Sequence, residues 1–282
     1  MKKNMIKEVK VKTALSPSKL PGLDYSLNPY RGCEHACVYC YAPSVIYWDK
    51  EKGAWGELVE AKVNLPRILS KELRIKKKGV VGLGTVTDPY QPAEKKYEIT
   101  RRCLELLSLH DFPVCIQTKS SLVLRDMDLL KSFSNIEVGV TLTALDERVR
   151  EKLEPGASAV EERLHALKEL SKNGINTWVF LGPVMPHITD VDALIDAIAR
   201  VKPKYVLVDR LRLKEGVRER VREFISGFKP DLLGDYERIF LRGEDYYSEI
   251  FETFLRRCEE KGVGCERFLP NSIQLKAKYD DV

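Results

Sequence analysis

The chain is 282 residues long, 44% apolar and 32% charged, with a formal net charge of +5. That is the balance of a soluble globular protein, with room for one large domain or a domain and an appendage. No apolar run approaches the length needed to span a bilayer, and the basic N-terminus leads into no apolar stretch, so neither a membrane anchor nor a signal peptide is expected.

Residues 1–24 read as a leader. A strand is expected over 25–30, and it runs straight into Arg31-Gly-Cys-Glu-His-Ala-Cys-Val-Tyr-Cys-Tyr41. Apolar, β-rich runs recur at 80–86, 113–118, 136–143, 177–181 and 205–209. Amphipathic stretches lie between them at 99–109, 126–131, 159–173 and 190–201. Gly174 follows the third as a helix stop, and Thr189 or Asp190 caps the fourth. Near-continuous apolar strands alternating with helices mean parallel strands buried on both faces, here as six β/α units. Reactive groups in such architectures gather at the C-terminal ends of the strands. After about residue 215 the pattern weakens: 231–239 is ambiguous, 248–261 reads as an amphipathic helix, and 264–275 as strand and tail. Three basic runs stand out: Lys76 to Lys78, Arg101-Arg102, and the stretch from Asp209 to Arg222. Asp and Glu interrupt them, so the first reads as a solvated loop and the last as a mixed-charge helix.

The run at 31–41 carries the chemistry. Cys33, Cys37 and Cys40 have the spacing Cys-x3-Cys-x2-Cys, which sets three soft thiolates on one short loop. Thiolates hold iron–sulfur clusters, and a four-iron cluster needs four ligands. Three leave one iron open, which points to chemistry rather than electron storage. A zinc knuckle is the competing reading, but it wants a fourth Cys or His at short range and two-residue gaps between paired ligands. His35 lies inside the loop, where simultaneous tetrahedral coordination is awkward, and reads as solvent-facing or as a partner of the ligands. Seven cysteines without an export signal imply reduced thiols in the cytoplasm.

With the aromatic Tyr39 before its third cysteine, this loop resembles the cluster motif of the radical S-adenosylmethionine (SAM) superfamily. Leu27-Asn-Pro-Tyr-Arg-Gly-Cys33, Thr87-Asp-Pro-Tyr-Gln-Pro92, and Glu154-Pro-Gly-Ala followed by Arg163-Leu resemble its spore photoproduct lyase-like branch, over about 25–209. The resemblance implies an α/β fold: a partial (β/α)6 barrel over 25–215, with a small α+β extension at 216–282 that covers the open side or shapes the substrate entrance. It implies a [4Fe-4S] cluster on Cys33, Cys37 and Cys40, with SAM chelated at the open iron. Reductive cleavage of SAM would then give methionine and a 5′-deoxyadenosyl radical that abstracts hydrogen from a substrate. An electron donor of the flavodoxin or ferredoxin type is the implied partner.

The strand ends supply the remaining candidates. The resemblance sets Tyr39 near the adenine. Thr87 and Asp88 offer a hydroxyl and an acceptor to the SAM amino group; the alternative is a Thr-Asp-Pro turn in which Asp88 caps the next helix. Lys119 is expected to face the SAM carboxylate, and Thr141 and Thr143 the ribose or carboxylate. Arg163 is expected to pair with Glu154. Pro183-Val-Met-Pro186 reads as a stiff loop, which the resemblance sets beside the SAM pocket, and His187 after it reads as neither ligand nor catalyst.

Tyr39 and Tyr41 match tyrosines associated with a radical relay in the lyase, and Tyr41 is the candidate catalytic residue. The lyase's hydrogen-donating cysteine has no counterpart: its position falls on Thr85 or Val86, and a threonine O–H bond is too strong for that donation. Cys103 and Cys115 read as buried hydrophobes, and Cys258 and Cys265 as structural or incidental. Two substrate classes stay open, DNA or RNA on one side and a small molecule or peptide on the other. A noncatalytic iron–sulfur or zinc protein is the third reading.

Overall fold

The structure is a computed structural model that describes residues 5–48, 51, 53–214 and 216–267. The chain opens with β1 (Met5–Val9) and β2 (Ser16–Pro17), followed by β3 (Tyr25–Leu27), β4 (Tyr30–Arg31) and β5 (Leu58–Lys62). Then come β6 (Val81–Leu83), β7 (Val114–Thr118), β8 (Ile136–Leu142), β9 (Asn176–Val184), β10 (Tyr205–Arg210) and β11 (Cys265–Arg267). The main sheet has the order β11-β10-β9-β8-β7-β6-β3-β2. All its neighbours are parallel except β2 against β3. The six expected strands are therefore the six central ones, in chain order, in an α/β fold whose parallel sheet forms a partial barrel.

Alternation along each strand divides two environments. On β7, Val114 and Ile116 belong to the core shared with helix Ile99–Leu109, while Cys115 packs with Trp178, Phe180, Tyr205 and Leu207 on the inner face. All seven residues of β8 are buried, as a strand covered on both faces requires. Helices Val160–Lys172 and Val191–Val201 bury Leu167, Leu170, Leu194 and Ile198. Asp190 caps the second, accepting from the Ala193 N–H at 2.9 Å.

Inside the barrel Trp178 stacks on Tyr205, with ring centroids 5.9 Å apart, and Tyr205 donates to Glu137 at 2.8 Å. Gly139 lies opposite Trp178 in the ladder, and the indole occupies the space a side chain there would fill.

The leader is built into the fold. β1 pairs with β5, and β5 pairs with β4, immediately before the cysteines. The 209–222 run is not one helix: 211–214 form a loop, and the helix begins at Val217 and ends at Phe228. The ambiguous segment folds as helix Leu233–Leu241, and Tyr247–Glu260 follows. Of 264–275, β11 is a parallel edge strand on β10, and 268–275 lie outside the described residues.

The expectation of uniformly reduced thiols fails at one place. Cys258, at the end of the last helix, and Cys265, at the start of β11, form a disulfide with Cα atoms 6.1 Å apart. The cause is proximity, because the turn after the helix lays β11 back beside it at a separation that suits the bond.

Gly139→Ala is expected to overpack the indole and destabilise the protein by about 1–3 kcal/mol, measured by urea unfolding; an unchanged midpoint would show that Trp178 can move aside.

Candidate active site

The cysteine loop sits at the C-terminal edge of the barrel and is tied down from several directions. The motif after β6 makes most of the bonds. Thr87 Oγ1 donates to the Gly32 carbonyl at 2.6 Å, and Gln91 Nε2 donates to the same carbonyl at 3.3 Å. Gln91 Oε1 accepts from the Glu34 N–H at 2.9 Å, and the Glu34 carboxylate accepts from the Ala93 N–H at 2.5 Å. The Glu154-Pro-Gly segment presses from the other side: Gly156 N–H donates to the His35 carbonyl at 3.2 Å. A Cβ on Gly156 would lie 2.8 Å from the Glu34 carbonyl carbon, so the close approach requires glycine.

Two buried carboxylates bracket the loop. Asp88 accepts from the Tyr90 N–H at 2.9 Å, the Thr118 hydroxyl at 2.7 Å and the Lys119 N–H at 2.8 Å, and its other neighbour is His35 Nδ1 at 3.2 Å. Burial pushes this carboxyl up, but the His35 imidazole beside it, the hydrogen bond from Thr118 and the Lys119 charge outweigh it and hold it at about 2. His35 is 1% exposed; it does not face solvent. Glu154 forms the expected ion pair with Arg163 at 2.6 Å, both side chains 1% exposed. The Tyr39 hydroxyl donates to Glu154, and Thr143 Oγ1 lies 3.3 Å from each of them. Burial raises the Glu154 carboxyl, and the Arg163 and Lys119 charges more than reverse it.

The loop fronts a cavity of about 410 Å³. Its walls bring together Cys33, Cys37, Cys40, Tyr39, Tyr41, Thr87, Asp88, Lys119 and Thr141. Thr143 is not on the wall; it stands behind Tyr39. The polar atoms of Thr87 and Asp88 are committed to the loop and to β7. Tyr41 donates to the Thr85 carbonyl at 2.5 Å. The Lys119 ammonium lies 5.7 Å from the centre of the Tyr39 ring, and among the described residues no hydrogen bond or ion pair engages it. Burial lowers its pKa, but the Cys37, Glu154 and Asp88 charges raise it further, so it stays protonated. Pro183 reaches the cavity, whereas His187 lies outside it, 3.7 Å from an Asp235 oxygen.

Burial pushes the Cys37 thiol up to about 12 and Cys33 well above the ordinary range. A metal taken up here must displace protons. Among the described residues no three His, Cys, Asp or Glu side chains converge on a single-ion site; a cubane presents separate irons to separate thiolates and asks for no such point.

Several wall residues come from outside the candidate set. Trp178, Phe180, Tyr205 and Leu207 form an aromatic and apolar interior, and Cys115 joins them rather than being sealed in the core as Cys103 is. Strand alternation from Lys119 back through Gln117 to Cys115 could have signalled this. Arg210, Arg212 and Lys214 also reach the wall, as does Asp209, which pairs with Arg212. Lys78 and Arg101, from the other basic runs, are ion-paired with Asp111 at 2.7 Å and with Asp126 at 2.9 Å.

Known proteins share this fold. Spore photoproduct lyase complexed with dinucleoside spore photoproduct superposes with a TM-score of 0.72 over 94% of this chain and 82% of its own, at 15% identity. That likeness is one of fold. A family model of the radical SAM superfamily matches residues 27–198. An uncharacterized protein of Methanocaldococcus jannaschii is 40% identical over 254 residues, 89% of this chain and 93% of its own. The radical SAM Nα-GlyT isomerase of Pseudomonas phage M6 is 25% identical over 255 residues, 84% of this chain and 52% of that protein. The fold and site thus define a radical enzyme of the partial-barrel type. The chain belongs to the radical SAM superfamily, whose members cleave SAM with an iron–sulfur cluster and an external reductant. No helix among the described residues is long and apolar enough to cross a membrane.

The depressed Asp88 pKa predicts a pH signature. The ionised carboxylate stabilises the fold fully above its unfolded value of 3.8, and that stability is lost as pH falls toward about 2. Asp88→Asn is expected to cost about 2 kcal/mol near neutral pH, with the gap from wild type closing between about pH 4 and 2. Urea unfolding across that range checks it, and a gap that persists undiminished at pH 2 would assign the loss to geometry instead.

Proposed function

We propose that Cys33, Cys37 and Cys40 ligate a [4Fe-4S] cluster, that SAM occupies its fourth iron, and that the enzyme abstracts hydrogen from a nucleic-acid substrate. One observation carries the cofactor assignment: three thiols front a single cavity beside an ammonium, Lys119, that no acid among the described residues hydrogen-bonds or ion-pairs. Thiolates suit iron, and a protonated lysine without a partner suits a carboxylate ligand. When bound, the cluster supplies the electron that cleaves SAM to methionine and a 5′-deoxyadenosyl radical.

The chain's own residues then have distinct tasks. Lys119 holds the SAM carboxylate, and Thr141 offers its hydroxyl to the ribose. Tyr39, anchored by Glu154, walls the adenine side, and Thr143 acts through Tyr39. Thr87 and Asp88 fix the strand end that meets the SAM amino group. Tyr41, on the cavity wall, is the relay phenol. The described part of the 216–282 extension, residues 216–267, closes the open side of the 25–215 core. Electrons come from a flavodoxin- or ferredoxin-type donor in the same cytoplasmic compartment.

Arg210 and Lys214 at the cavity wall support a polyanionic substrate, and the interior ring of Phe180 offers a surface on which a base stacks. Spore photoproduct lyase has been solved with a dinucleoside, and the phage relative is named as a GlyT isomerase.

Anaerobically reconstituted protein given SAM and dithionite is expected to release 5′-deoxyadenosine, and the Cys33→Ala/Cys37→Ala/Cys40→Ala variant none. Lys119→Met is expected to raise the KM for SAM about tenfold or more, the loss of one charged hydrogen bond. Colourless protein with stoichiometric zinc would overturn the cofactor assignment. Oligonucleotide binding should weaken steeply with salt; its absence would move the substrate to the small-molecule or peptide class.

A further inference from the structure

The helix Val217–Phe228 carries a run of alternating charge, and one arginine of that run turns inward. Arg220 Nε donates to the Val38 carbonyl at 3.0 Å and Nη2 donates to the Cys40 carbonyl at 2.5 Å, across 182 and 180 residues of sequence. Arg218 and Glu219 beside it are exposed. Among the described residues, Arg220 is the one side chain from beyond residue 210 that hydrogen-bonds the cysteine loop.

A guanidinium is a rigid planar fork. Here its two prongs take carbonyls on either side of Tyr39, so they fix the course of the chain into the third thiol. Both acceptors are neutral, so the bonds themselves cancel none of its charge. That charge lies near Cys40, Glu219 and Cys37, all of which it feels electrostatically, and only the two cysteines belong to the loop. The other nearby cation, Lys119, faces the cavity and is committed to SAM in the reading above.

We propose that Arg220 is a positioning residue for the cluster: its fork holds the Val38–Cys40 segment in place, and its charge raises the cluster's reduction potential. Reduction adds one electron and one negative charge beside the guanidinium, so the reduced state gains more from it than the oxidised state does. The C-terminal extension thereby takes part in electron uptake as well as covering the barrel. The inference rests on the cluster assignment made under the proposed function.

The test uses reconstituted holoprotein as wild type, Arg220→Met, Arg220→Lys and the exposed control Arg218→Met. Two quantities are read: the potential, by EPR-monitored reductive titration, and the rate at which a chelator strips the visible cluster absorbance. Arg220→Met is expected to show a reduced-to-oxidised ratio about tenfold lower at a given poise, equivalent to about 59 mV for one electron, together with several-fold faster cluster loss. Arg220→Lys keeps the charge but not the fork, so it should hold the wild-type potential and lose its cluster faster. Arg218→Met should match wild type in both. Wild-type behaviour of Arg220→Met, or an equal shift in Arg218→Met, would overturn the inference while leaving the cluster assignment intact. If Arg220→Met does not fold, Arg220→Lys decides: a wild-type rate of cluster loss removes the fork. A wild type that takes up no cluster would overturn the assignment and this inference together.

Discussion

The buried carboxylate of Asp88 is the point on which the site's geometry depends. It gathers donors from three parts of the chain: the turn that it begins, the end of β7, and His35 in the middle of the cysteine loop. An ionised carboxylate is costly to bury alone and becomes tolerable only when its oxygens are fully engaged. The cysteine loop therefore cannot shift without breaking bonds at the end of the sheet. The position of the sulfurs follows from the barrel, and the loop's own short turns only refine it.

Glu154 performs the corresponding task on the opposite flank, through Tyr39 and Arg163. A buried ion pair adds little net stability, since desolvation consumes most of the attraction. What it contributes here is register, because Tyr39 lies between Cys37 and Cys40 and its hydroxyl is held by Glu154 deep in the fold. The Lys119 ammonium feels both carboxylates electrostatically, yet makes no hydrogen bond or ion pair among the described residues. The site thus combines saturated anions that hold the protein together with an unsaturated cation that faces the space where a ligand belongs.

Much of the architecture was legible from sequence because parallel strands covered on both faces must be apolar throughout. The runs at 136–143 and 177–181 carry that mark plainly. The cysteine loop was legible because its three thiols lie within eight residues of chain. Arg220 was not, because nothing local distinguishes the one arginine of a charged helix that turns inward. Nor was the loop at 211–214: its alternating charges fit a helix equally well, and only the end of β10 fixes where they point. Cys115 shows the same limit, since an apolar run does not say which alternate residues face a lumen. The bridge between Cys258 and Cys265 needed the fold of the last helix and β11 to bring the two sulfurs together.

That bridge gives the chain two sulfur populations with opposite needs. Cys33, Cys37 and Cys40 are free thiols at the cavity, whereas Cys258 and Cys265 are joined. The joined pair is separated by seven positions, so each finds its partner by local closure sooner than it meets a distant thiol. Thiol-rich conditions that keep those three cysteines reduced also act on the bond that fastens β11 to its helix, so a protein prepared before or after that treatment is covalently two different molecules.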